Sequence, residues 1–124
     1  MVTHIYKNYL RSSRKKLALS QKQMAAVLGL KSSARISALE LGYAVPTIRD
    51  CATFRVLFRK SFEEIWPRLN FEFESSADLN IRRLITRLEQ DKGRSERKRM
   101  QAKIVAHNLT VIIDGEQEDL VDLT

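Results

Sequence analysis

The chain has 124 residues, with 22 Lys and Arg against 15 Asp and Glu and a net charge of +7; that length allows one compact domain with an appendage, or two very small domains. A single cysteine, Cys51, excludes an internal disulfide and any metal site built on several cysteines. The longest stretch without Asp, Glu, Lys or Arg, residues 104–113, is too short for the ~20 residues that a membrane-spanning helix needs.

The start of the chain is basic and interrupted by polar residues, so no secretory leader is expected, and a reducing cytoplasm is the expected setting. Charge is unevenly distributed. Residues 1–67 hold 12 basic and 4 acidic side chains, whereas residues 68–124 hold 10 and 11. The positive excess therefore lies in the first half, and any polyanion-binding surface is expected there.

Four glycines and two prolines among apolar residues spaced three or four apart predict an all-α chain. Helix one is predicted over residues 5–17, burying Leu10, Ser13 and Leu17. A second, over 21–28, has Ser20 as N-cap and Met24, Ala25 and Leu28 inward. The third, over 33–41, has Ser32 as N-cap, Ile36 and Leu39 inward, and Gly42 as its stop. Helix four follows Thr47 and runs to Phe58. Its expected inward set is Ile48, Cys51, Ala52, the stem of Arg55, and Val56 or Phe58. A short fifth helix, 62–66, carries the capping-box pair Ser61 and Glu64, and Pro67 is expected to end it.

Beyond Pro67 the pattern is looser. Asp78 is a candidate cap for a helix to about residue 91, with Leu79, Leu84, Ile85 and Leu88 on one side. A charged turn surrounds Gly93. A further helix is expected over 95–108, with Met100, Ile104 and Val105 inward, and 110–113 reads as a strand or as the end of that helix. The stretch from Asp114 onward has five acids and no base and is expected to be mobile. The division is thus 1–67, a helical extension over 68–113, and an acidic tail over 114–124.

The informative segment is 19–42, LSQKQMAAVLGLKSSARISALELG. Two short helices are joined by a tight turn at Gly29, and the small Ala25 permits a close crossing. With Ile36 and Leu39 inward, a 100° step per residue turns Ala34, Ser37, Ala38 and Leu41 outward. Ser33 and Arg35 lie on the flanks. This outer face is small and free of acid, so it can approach base edges in a groove ~12 Å wide. Arg35 can make a bidentate contact to guanine or grip a phosphate. Lys31 and Tyr43 flank the helix as candidate phosphate contacts. The run Arg14, Lys15, Lys16 is either a phosphate contact or a solvated face.

Residues 10–67 resemble the Cro/lambda-repressor-like (XRE-type) helix-turn-helix family. The resemblance rests on Leu19-Ser20-Gln21, Met24-Ala25, Leu28-Gly29, Ile36-Ser37, Leu39-Glu40 with Gly42, Pro46-Thr47, and Phe62-Glu63-Glu64-Ile65. It implies a five-helix DNA-binding domain whose third helix enters the major groove of double-stranded DNA, usually as a homodimer on a two-fold operator. It further implies a backbone-contacting role for Gln21, base-facing positions at Ser33, Ala34, Ser37 and Ala38, and an internal ion pair between Arg14 and Glu40. Two departures stand out. The spacing from Gly29 to Ile36 is one residue longer than the commonest pattern, and the base-facing positions lack Gln, Asn or Arg. The second shifts weight to phosphate contacts and DNA shape.

The functional expectation is a sequence-selective transcriptional regulator. The alternative is an antitoxin-type interaction module that binds a partner protein through residues 68–124 and autoregulates its operon. No nucleophilic triad, phosphate-cradling glycine loop or metal-ligand spacing is present in the sequence, so neither an enzyme nor a cofactor is expected. Cys51 reads as a small core residue, and His4 and His107 as isolated histidines. The basic cluster Lys92, Arg94, Arg97, Lys98, Arg99 and Lys103 reads as a solvated helix face, with extended DNA contact or pairing to the acidic tail as alternatives.

Overall fold

The computed structural model describes residues 5–90, 95–115 and 120–121. The described residues form seven helices and no strands: α1 Leu10–Lys16, α2 Gln21–Val27, α3 Ala34–Leu41, α4 Ile48–Phe58, α5 Phe62–Ile65, α6 Pro67–Glu89 and α7 Glu96–Asp114. Among them, no helix is long and apolar enough to cross a membrane. The chain divides into two compact units, residues 1–72 and 73–124.

In the first unit, Leu10, Met24, Ala25, Ile36, Leu39, Phe54, Ile65, Trp66 and Leu69 form one buried cluster. Its large members are aromatic. The rings of Phe54 and Trp66 lie 5.9 Å apart, and Phe58 and Phe62 extend the stack on either side. Such pairs add to the area they bury, and they set the rotation of α4. The inward residues of α4 are Asp50 and Phe54, with Cys51, Leu57 and Phe58 half-buried. The expected inward set is therefore corrected: Ile48 is 90 % and Val56 80 % exposed, and Ala52 and Arg55 face solvent. Anchoring Phe54 on Trp66, with Phe58 stacked on Phe54, leaves those positions on the opposite side of the helix.

α1 begins later than its apolar pattern suggests. Asn8 explains this: its Oδ1 accepts from the Leu10 N–H at 3.0 Å, while its Nδ2 donates to Leu39 O and Tyr6 O. This local turn competes with helix and holds residues 5–9 in an irregular path. That path is stitched on by Tyr6 N–H to Gly42 O and Tyr9 N–H to Ile65 O. Leu17 lies beyond the last turn of α1 and is half-exposed, and the buried polar positions are Ser13 and Arg14.

Pro67 starts a helix rather than ending one. A first-turn proline gives up an N–H that would have no intrahelical partner, and its fixed φ suits the helix. α6 then runs without interruption through Asp78, which caps nothing and instead pairs with Arg82 one turn on, at 2.8 Å.

In the second unit, Ala102, Ala106 and Val111 of α7 are buried. Residues 110–113 are the last turn of this helix, so the strand alternative is set aside. Met100 and Val105, expected inward, are 57 % and 38 % exposed, and Ile104 is half-buried. The helix presents its alanines inward because residues without long side chains permit close approach. Ser95 caps α7, and Gly115 closes it in the left-handed region. The side-chain amide of Asn108 pairs with both the C=O and the N–H of Val121. The turn expected at Gly93 and most of the acidic tail lie outside the described residues.

Candidate nucleic-acid interface

The helix pair α2–α3 is built by local signals at each end. At the start of α2, Ser20 and Gln23 cap each other reciprocally, at 3.0 and 2.9 Å. At its end, Gly29 takes φ +72°, and the N–H groups of Gly29 and Leu30 return to Ala26 O and Ala25 O. This is the Schellman arrangement, with the apolar Leu30 folded back onto the core. The extra residue between Gly29 and Ile36 is absorbed in bends at 31–33. α3 consequently starts at Ala34 with Ser33, not Ser32, at its N-cap position, and no side-chain cap bond forms there. Its end is secured by Gly42 at φ +84°, with Tyr43 N–H donating to Ala38 O.

Along α3, Ile36 and Leu39 are fully buried and Ala25 of α2 is 2 % exposed. Ala34 is exposed, Ser33, Ser37 and Ala38 are half-buried, and Leu41 is 55 % exposed. Lys31 and Tyr43 are exposed at the two ends of the helix. The small residues of α3 thus line its outer side and flanks, between a cation and a phenol.

Glu40 is the only acid on α3, and its charge is consumed internally. Arg14 Nε and Nη2 donate to Glu40 Oε2 and Oε1 at 2.6 and 3.0 Å, and Arg14 Nη1 donates to Leu19 O at 2.7 Å. Gln21 Nε2 also reaches Glu40 Oε1, at 3.1 Å. The two charged side chains are 10 % and 3 % exposed. Hydrogen bonding to the Glu40 carboxylate raises the Arg14 pKa above the usual guanidinium range, outweighing desolvation. The pair is a fixed strut from α1 and the start of α2 to α3, and it leaves the outer face of α3 without a net negative charge.

Arg35 sits elsewhere. Its Nη2 donates to Asp50 Oδ2 on α4, and Asp50 also accepts from the Thr47 N–H in the capping box that begins α4. The Arg35 side chain remains 35 % exposed, so it braces α3 against α4 with part of the guanidinium still open.

Among the residues singled out from sequence, Gln21, Ser37, Glu40 and Arg14 come together around one open cleft of about 390 Å³, bordered also by Arg11 and Leu41. Lys31, Ala34 and Tyr43 lie along α3 outside that cleft. Sequence reasoning passed over Arg11. Its signal is its spacing: three residues before Arg14 on α1, it shares a helix face with the strut.

No curated protein and no solved structure matches the chain. The helix-turn-helix family model does match, over residues 10–65, a span that begins with α1 and closes with α5. That segment is a DNA-binding helix-turn-helix domain of the Cro/repressor (XRE) type.

Proposed function

We propose that the protein is a sequence-selective transcriptional regulator that inserts α3 into the major groove and binds its operator as a homodimer. The observation that carries this reading is the outer face of α3. Ala34 is open, Ser33, Ser37 and Ala38 are small, and the single acid on the helix is neutralised by Arg14. Small side chains let the helix approach closely, and the serine hydroxyls can donate to or accept from base edges. Gln21, Lys31 and Tyr43 serve as phosphate contacts that set the register, and Arg11 adds a cation beside Gln21. Arg35, braced by Asp50, orients α3 and offers its remaining donors to a phosphate. With so few long polar side chains for direct reading, DNA shape carries part of the specificity.

Two copies would present their third helices about one helical turn apart, ~34 Å. The second unit is our candidate for joining them. It leaves Leu79, Met100, Val105 and Ile112 38–57 % exposed, and a two-helix unit of this size buries too little to stand well alone. The same exposed positions suit a heterologous partner, as in an antitoxin-type module. Co-purification with the product of a neighbouring short reading frame would favour that second reading.

The deciding experiment compares binding to DNA from the protein's own upstream region with binding to random DNA across a salt series. A regulator binds its own region more tightly, and both affinities fall as salt rises through counterion release. Equal affinities at every salt would overturn sequence selectivity.

A further inference from the structure

We propose that the outward face of α4 is a docking surface for an acidic, aliphatic segment of a partner protein. This goes beyond DNA binding and uses residues that the DNA-facing elements do not. Ile48, Ala52 and Val56 are spaced i, i+4, i+8 and form one stripe; Ile48 and Val56 are 90 % and 80 % exposed. A helix exposed to water ordinarily places polar residues at such positions, and apolar patches rimmed by polar groups mark interaction sites.

The rim is arginine. Arg49, Arg55 and Arg59 flank the stripe and are exposed, and among the described residues none of the three forms an ion pair. At the C-terminal end of the stripe, Arg55, Val56, Arg59, Ser61 and Glu64 line an open cleft of about 480 Å³. Glu64 is engaged in capping Ser61. Arg59 adopts a left-handed backbone, φ +58°, that glycine would take without cost. A cation is therefore held at this corner despite local strain.

Three occupants are conceivable, and charge and direction separate them. A second copy placed about a two-fold axis would set these arginines against their own equivalents, which is repulsive. DNA does not suit a surface whose centre is Ile48 and Val56. Moreover, at 100° per residue the stripe points about 160° away from Asp50, the α4 residue that touches α3 through Arg35, so it faces away from the recognition helix. A segment bearing carboxylates with Leu, Ile or Val side chains fits both the apolar centre and the cationic rim.

The test is selection from a random peptide library displayed on phage against the full-length protein, followed by affinity measurement of the enriched peptides. Two variants are compared with the parent, Val56→Glu and Arg55→Gln, with retention of fold checked by Trp66 emission. Enriched peptides should combine Asp or Glu with aliphatic residues. Their affinity should fall about tenfold or more with Val56→Glu and several-fold with Arg55→Gln, and should weaken with rising salt; at fixed salt, neither substitution should change affinity for random DNA. The proposal is overturned if no peptide is enriched, if enriched peptides lack acids, or if binding ignores both substitutions. It is equally overturned if Val56→Glu dissociates a homodimer or weakens DNA binding, since the face would then belong to a second copy or to the duplex.

Discussion

The Arg14 guanidinium grips both carboxylate oxygens of Glu40, and the pair is almost wholly removed from water. Taking one member away strands the other as a buried charge. Such losses cost about 3–5 kcal/mol, whereas replacing both members with apolar residues is often neutral. Glu40→Ala should therefore destabilise the domain by about 3 kcal/mol, and Arg14→Met with Glu40→Met should recover most of that. Urea unfolding followed through Trp66, the single tryptophan and fully buried, gives both values. A double variant as unstable as Glu40→Ala would show that geometry, not charge burial, governs the strut.

Gly29 and Gly42 look alike in sequence, each following a helix of the pair, but they tolerate substitution differently. Both have positive φ. A Cβ on Gly29 meets nothing within 4 Å, whereas one on Gly42 would lie 2.9 Å from the backbone N and O of Tyr6. Gly29→Ala should cost about 1 kcal/mol, from the left-handed backbone alone. Gly42→Ala should cost at least about 2 kcal/mol more, because main chain must move. Paired denaturation curves would detect the difference, and equal losses would mean that residues 5–9 are not held against Gly42.

How much of this was legible in sequence depended on whether the signal was local. The helix pair, the Ser20 and Ser61 caps and the inward Ile36 and Leu39 follow from residues three or four apart. The rotation of α4 does not: Ile48 and Val56 satisfy an apolar pattern as well as Phe54 and Phe58 do, and only the distant Trp66 decides between them. Arg35 was legible as a cation on the flank of α3, but its partner Asp50 lies 15 residues away. Pro67 misled because a proline after an apolar run marks a stop and a start equally well. The second unit was least legible because its buried residues are two alanines and one valine of α7, Ala102, Ala106 and Val111, rather than a run of large residues.

Among the described residues, two without glycine's freedom sit in the left-handed region, Ala18 at φ +56° and Arg59 at φ +58°. Ala18 closes the α1–α2 turn, its N–H bonded to Lys15 O. Ala18→Gly should stabilise the protein by about 0.5–1 kcal/mol, the conformational relief offset in part by a freer unfolded chain. Arg59→Gly should gain a similar amount, and should weaken the docking proposed for α4. Thermal unfolding of each variant checks the sign; a lower midpoint for Ala18→Gly would refute the strain.

The Cys51 thiol is held above its ordinary pKa, first by burial and then by the neighbouring charge of Asp50. The thiol is therefore favoured in the folded state. When pH rises past the pKa of an unfolded cysteine, the unfolded chain ionises first and binds fewer protons, so stability falls. Below that pH the group has no effect. Native protein should react with iodoacetamide more slowly than urea-unfolded protein at pH 8, and Cys51→Ala should reduce the loss of stability on the alkaline side. Equal alkylation rates in the two states would contradict the shift.

Arg35 and Ala34 are neighbours on α3 with opposite expected roles. Arg35 is tied to Asp50 and braces the helix, whereas Ala34 is open at the surface proposed to meet DNA. Arg35→Ala should weaken binding to operator and random DNA by the same factor, leaving base preference intact, and should cost some stability because Asp50 loses its partner. Ala34→Glu should leave stability within about 0.5 kcal/mol, as for most surface changes, yet abolish specific binding by placing a carboxylate against phosphates. Sequence selection from a random DNA pool with each variant separates the roles. A changed base preference with Arg35→Ala would make Arg35 a reader, and full binding by Ala34→Glu would remove this face of α3 from the duplex.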